Sequence, residues 1–92
     1  MYAILFNAVK QRNIMIEHQM DRKRFVYSKE GQEGILDYKL TGNTVNFTHT
    51  FVPDAFRGQG VAKQLVEQGL SWAREQGYEI EADCWYVAKA LS

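Results

Sequence analysis

A single proline, Pro53, and a single cysteine, Cys84, stand in a chain of 92 residues whose eleven basic and eleven acidic side chains cancel. One cysteine excludes an internal disulfide and any metal cluster built from several cysteines. It suits a reducing compartment, so a cytoplasmic protein is expected. The balanced charge removes the global field that draws a protein to nucleic acid or to an acidic membrane surface, and neither partner is expected; any anion site has to be local. Long apolar runs are missing too. The opening "MYAILFNAVKQRN" holds an apolar run of about nine residues, too short to span a bilayer, and lacks the basic lead-in of a signal peptide. Residues 1–13 are expected to be an extra strand or an extension outside the core fold. Repeats, low-complexity tracts and Pro/Ser-rich linkers are absent as well, so residues 14–92 read as one unit.

What is present is enough for one core. Hydrophobic residues make up 46% and charged residues 24% of the chain, which is the composition of a folded domain rather than of a disordered one. Short strands are expected at Ile14 to His18 and Phe25 to Ser28, with the polar "QMDRK" between them. The glycines of "KEGQEG" mark a turn, Ile35 to Leu40 resumes strand character, and "TGN" signals a hairpin. Thr44 to Val52 then alternates, with Val45, Phe47, His49 and Phe51 on one face and Thr44, Asn46, Thr48 and Thr50 on the other.

At Val61 the period changes. Ala62, Leu65, Val66, Gly69 and Ala73, widened by Val61, Leu70 and Trp72, recur at helical spacing up to Gln76, and Gly77 is placed to end the helix. Tyr78 to Cys84 reads as a last strand and Val87 to Leu91 as a short terminal helix. Strand, loop, helix, strand is a βαβ-like crossover, so the flanking strands are expected to run parallel in an otherwise antiparallel sheet. The fold class is α+β, with one principal helix.

The junction between strand and helix, "FVPDAFRGQG", allows three readings: a turn, a helix cap or a cradle for an anion. The first turn of a helix leaves N–H groups without intrahelical partners at the positive end of its dipole. Gly58 and Gly60 lack a Cβ, so the main chain can turn tightly and a ligand can approach it, and Arg57 can add a charged fork for phosphate oxygens. A Walker loop fails, because Gly60 is followed by Val61, Ala62 and Lys63 instead of Lys and Ser or Thr. A dinucleotide fingerprint fails as well, because Lys63 stands where a third glycine belongs.

The pattern that does match is R-x-x-G-x-A, formed by Arg57, Gly60 and Ala62. With it the sequence resembles the GNAT superfamily of acyl-CoA-dependent N-acyltransferases, in which such a loop opens a helix and binds the pyrophosphate of acetyl-CoA through main-chain amides. It is similar above all to the very small GNAT-like proteins, in the stretches "GILDYKL", "THTFVPDAFRGQGVAKQLV", "WAREQG" and "CWYV". The resemblance covers Ile14 to Ser92. It implies an acetyl-CoA-binding domain at residues 14–92 and a cofactor site at Phe51, Val52, Arg57, Gly58, Gln59, Gly60, Val61 and Ala62. A main-chain N–H near Phe51 and Val52 is implied to face the thioester carbonyl, with pantetheine pairing along a splayed strand edge. Acetyl-CoA is the implied acetyl donor, an unidentified amine the acceptor, and no metal is implied. Ordinary members carry two helices between their first strands and further strands after the fifth. "QMDRK" leaves no room for the former, so a binding module without turnover stays open beside an acetyltransferase.

Three side chains are candidates for the chemistry. Cys84, at the end of the last strand, is either a thiolate that takes or assists transfer of the acetyl group or a buried core cysteine. His49 is either its base or a core residue beside Val45, Phe47 and Phe51. Tyr86 either protonates the departing CoA thiolate or packs on Trp85. His18 is a weaker candidate, Asp54 reads as a cap of the turn, Lys63 and Gln64 either touch the cofactor's phosphates or are solvated, and Arg22, Lys23 and Arg24 read as a solvated turn. A monomer or a weak homodimer is expected, the open acceptor side being one that a partner chain could complete.

Overall fold

The structure, a computed structural model, describes residues 16–91. The expected extension or strand at residues 1–13, and the start of the first strand at Ile14, lie outside the described residues. Among the described residues five strands form one sheet in sequence order: β1 (Ile16–Gln19), β2 (Arg24–Lys29), β3 (Gln32–Thr41), β4 (Thr44–Phe51) and β5 (Glu79–Ala82). The first three pairings are antiparallel and β4 runs parallel to β5. Helix α1 (Val61–Gln76) connects that parallel pair, and α2 (Trp85–Leu91) follows β5. The result is the mixed α+β sheet with one principal helix that the sequence predicts. No described helix is long and apolar enough to cross a membrane.

Turn chemistry sets the hairpins. Lys29 pairs with Gln32, so the β2–β3 turn is only Glu30 and Gly31, both at positive φ (51° and 79°). That is the two-residue geometry whose twist suits flanking strands. The turn is tighter than "KEGQEG" suggests, since Gln32, Glu33 and Gly34 already belong to β3. Thr41 pairs with Thr44 around Gly42, at φ 59°.

The apolar stripe of α1 lies on the sheet. Val61, Leu65, Val66, Gly69, Leu70 and Ala73 are buried against a layer that includes Tyr27, Leu36, Tyr38, Val45 and Phe47. Gly69 is the point of closest approach: a Cβ there would stand 2.8 Å from Leu36 Cδ2 and 2.9 Å from Phe47 Cε1. Gly77, left-handed at φ 76°, closes the helix by donating its N–H to the carbonyls of Ala73 and Arg74. The last strand is shorter than the expected Tyr78 to Cys84, and the terminal helix opens two residues earlier than Val87.

One irregularity changes the faces of β4. Asp37 pairs with His49 but Tyr38 pairs with Phe47, so Thr48 is an extra residue with no counterpart in β3. Such a bulge reverses the alternation beyond it. Val45 and Phe47 are buried under α1, whereas His49 and Phe51 are exposed. Thr50, paired with the fully buried Leu36, shares the helix side with Phe47. The expectation that His49 and Phe51 lie beside Val45 and Phe47 is therefore corrected. Both point to the opposite face, in rows with Asp37 and Ile35 respectively.

Candidate functional site

Pairing between β4 and β5 stops at Phe47 and Ala82. There the chain turns away, Asp83 and Cys84 both donating their N–H to the Phe47 carbonyl (3.0 and 3.1 Å). The Asn46 side chain fixes this turn, accepting the Asp83 N–H at 3.0 Å and donating to the Asp83 carboxylate at 3.1 Å. Beyond Phe47 the outer edge of β4 has no strand beside it among the described residues. Cys84 stands at this opening. Its Sγ lies 3.3 Å from Thr50 Oγ1 and accepts main-chain hydrogen bonds from Thr50, Tyr86 and Val87.

Those contacts bear on the ionisation of the thiol. Partial burial pushes its pKa up, but the Thr50 hydroxyl and the three N–H groups outweigh that, and the net shift is downward. His49 has no part in it, because adjacent residues on a strand face opposite ways and Thr50 is the one that faces Cys84.

With the N–H of Thr50 on the outer edge, alternation puts that of Val52 on the same edge and turns that of Phe51 toward β3. This narrows the expected Phe51 and Val52 pair to Val52. Its N–H has no acceptor in the described main chain.

The loop after β4 closes in steps. Pro53 ends the strand, and a single 3₁₀ turn, Asp54–Phe56, follows, with Phe56 buried. Gly58 (φ 82°) and Gly60 (φ 72°) are both left-handed, and Gly60 is the residue before α1. A Cβ at either would meet no protein atom within 4 Å, so glycine is required there by the backbone angle and not by crowding. Gln64 donates to the Gly60 carbonyl (3.0 Å) and starts the helical ladder. The N–H groups of Gly58, Gly60, Val61, Ala62 and Lys63 have no protein acceptor among the described residues, which suits an anion at the positive end of α1.

Gln59 differs from its neighbours in that its N–H is taken by the Phe56 carbonyl (3.1 Å) and its side chain donates to the Ala55 carbonyl (3.1 Å). Arg57 is exposed and pairs with Asp54 at 2.8 Å. The Asp54 carboxylate thus meets Arg57 across the 3₁₀ turn.

A cavity of about 260 Å³ joins these parts: Val52, Arg57, Gly58, Gly60, Val61 and Ala62 line it together with Lys63 and Tyr86. Tyr86 also lines a larger groove of about 580 Å³ between α1 and α2, with Lys63, Arg74 and Lys89. Its ring meets Trp85 edge-on at 5.8 Å, so packing and access to the cavity coexist. The site therefore gathers seven of the expected cofactor and catalytic residues in one cavity and sets Cys84 next to it through the Tyr86 main chain. It leaves Phe51 and His49 on the other face. Thr50 is the residue the sequence hides, because the unbroken alternation assigns it to the wrong side.

The remaining candidates lie elsewhere. His18 packs flat on Phe25 at 4.0 Å, edge-on to Trp72, and its Nε2 is 2.6 Å from the Tyr38 hydroxyl; burial lowers its pKa. Arg24 belongs to β2 and grips Asp37 at 2.8 Å, so only Arg22 and Lys23 of the basic trio sit in the turn.

Known proteins resemble this chain over the same region. The family profile of the GCN5-related N-acetyltransferases matches residues 24–92. Protein NATD1 of Xenopus tropicalis is 33% identical over 91 residues, covering 96% of this chain and 84% of its own length. The NATD1 proteins of Gallus gallus and Homo sapiens are each 35% identical over 79 residues, covering 83% of this chain and 72% and 70% of theirs. A loop of unpaired main-chain donors at the head of α1, an adjoining splayed strand edge and this match over three quarters of the sequence agree: the chain belongs to the GCN5-related N-acetyltransferase family.

Proposed function

We propose that the protein is an acetyl-CoA-dependent acetyltransferase acting on an amine, with Cys84 carrying the acetyl group between donor and acceptor. The observation that supports this best is the alignment of unpaired donors from Val52 through Gly58, Gly60, Val61, Ala62 and Lys63 along one cavity that ends beside a thiol of lowered pKa. The residues fit the cofactor: the five loop and helix N–H groups receive its diphosphate, and Arg57 adds a flexible charge at the rim. Acetyl-CoA supplies an activated acyl carbon and a thiol leaving group.

The Val52 N–H faces the oxyanion that forms when the acyl carbon is attacked. The Cys84 thiolate makes a new sulfur–carbon bond while the bond to the CoA sulfur breaks, and the Tyr86 hydroxyl supplies the proton to that departing sulfur. The amine nitrogen then displaces the Cys84 thiolate, and the proton lost from nitrogen restores Tyr86. The second reading, a CoA-binding module without turnover, is favoured by the brevity of the described fold, whose β1–β2 connection is only Met20–Lys23.

Amine-dependent release of CoA thiol separates the two. Turnover with an amine, together with a mass increase of one acetyl group on Cys84 in its absence, supports the transferase; saturable CoA binding without either supports the module. Cys84→Ser is expected to remove the acetyl-enzyme and most turnover while leaving CoA binding intact. Full turnover in that variant contradicts the covalent route.

A further inference from the structure

We infer that Thr50 is the positioning residue of Cys84: its hydroxyl, turned to the helix side by the bulge at Thr48, donates to the thiolate and aims it along the open edge of β4. The inference rests on the reading of Cys84 as the acetyl carrier and names the group that makes it competent. Three observations carry it. The register change between Asp37 and Tyr38 is what brings Thr50, and not His49, to the side of Cys84. The Sγ to Oγ1 distance is 3.3 Å, within reach for a sulfur acceptor. The Thr50 main-chain N–H also favours the charged sulfur, so the side chain and the main chain of one residue act on it in the same sense.

Among the described residues no charged side chain replaces this contact. Asp83 turns its carboxylate to Asn46, Lys89 sits over the Trp85 ring at 5.9 Å, and His49 and Asp37 lie on the far face of the sheet. On the near side Tyr86 approaches through its main-chain N–H, and Lys63 lines the neighbouring cavity. Among the described residues the pull on the thiol therefore comes from neutral donors, and the one side chain among them is that of Thr50. The direction of proton donation sets the sign of the effect. A hydroxyl that donates to sulfur favours the thiolate, whereas one that accepts from an S–H favours the thiol.

The test is the pH profile of Cys84 alkylation by iodoacetamide, read by intact mass without any cofactor. This is Cys84's own reactivity, since it is the one cysteine in the chain. Thr50→Val keeps the branched shape and removes the hydroxyl; it is expected to move the alkylation midpoint to higher pH and to slow alkylation at pH 7 several-fold. Thr50→Ser is expected to restore the wild-type profile, which a purely packing role for the methyl group does not predict. A midpoint that stays in place or falls in Thr50→Val overturns the inference, as does failure of the serine variant to restore it. Acetyl-enzyme formation from acetyl-CoA, measured on the same samples, tests the transferase reading separately. A shifted midpoint with no acetyl-enzyme in any variant upholds the role of Thr50 on the thiol and removes the acetyl-carrier role of Cys84. Acetyl-enzyme that forms equally fast in wild type and Thr50→Val, with equal midpoints, does the reverse.

Discussion

At the residue scale, conformations that only one side chain type tolerates carry the site. Gly60 is left-handed with open space where a Cβ would go, so Gly60→Ala is expected to destabilise the protein by about 1 kcal/mol through backbone strain alone. Urea unfolding checks this, and an unchanged midpoint contradicts it. His18 acts differently. Burial among Phe25, Trp72 and Tyr38 lowers its pKa from the ordinary 6.5, so the unfolded chain binds the proton first as pH falls. The stability that neutral His18 provides is complete above pH 6.5 and is lost below it, as pH falls through the lowered folded value. Between pH 7 and pH 5 the wild type is expected to lose more stability than His18→Gln, measured by denaturant titration; equal losses would show that the ring does not titrate with folding.

At the element scale, the approach of α1 to the sheet depends on Gly69. A methyl group there would stand within 3 Å of Leu36 and Phe47, both fully buried. Gly69→Ala is therefore expected to cost about 1–3 kcal/mol despite alanine's better helix propensity. Thermal unfolding decides the sign: a stabilised variant means that α1 rides higher than described. The boundaries of α1 were legible in the sequence because Val61, Leu65 and Ala73 repeat at helical spacing between two glycines. The faces of β4 were legible only as far as Phe47. Thr48 to Phe51 continues the written alternation of polar and apolar residues, and nothing in that pattern records that one residue is left over when β3 and β4 pair. Register is a property of two strands, which is why the sequence pointed to His49 where the fold presents Thr50. The loop was half legible in the same way. Gly58 and Gly60 announce positive φ, but that the Gln59 N–H closes onto Phe56 depends on a 3₁₀ turn that residue types alone do not mark.

At the scale of the whole molecule, one crossover does most of the positioning. Running β5 parallel to β4 obliges α1 to start beside the end of β4, which sets the loop donors against the strand edge that β5 then abandons at Ala82. The Val52 N–H and the loop amides thus share a cavity, with the thiol beside it, because of topology, although they are far apart in sequence. A ligand bound there at a hundred times its Kd is expected to raise stability by about 2.7 kcal/mol. The most direct measurement follows main-chain amides by two-dimensional nitrogen–proton NMR while CoA is added. The signals of Val52, Gly58, Gly60, Val61, Ala62 and Lys63 are expected to move together in one saturable transition, with Gln59 moving least because its N–H is already bonded within the loop. If CoA leaves those amides unmoved, or shifts only residues on the His49 and Phe51 face, the diphosphate is not held at the head of α1 and the account is contradicted.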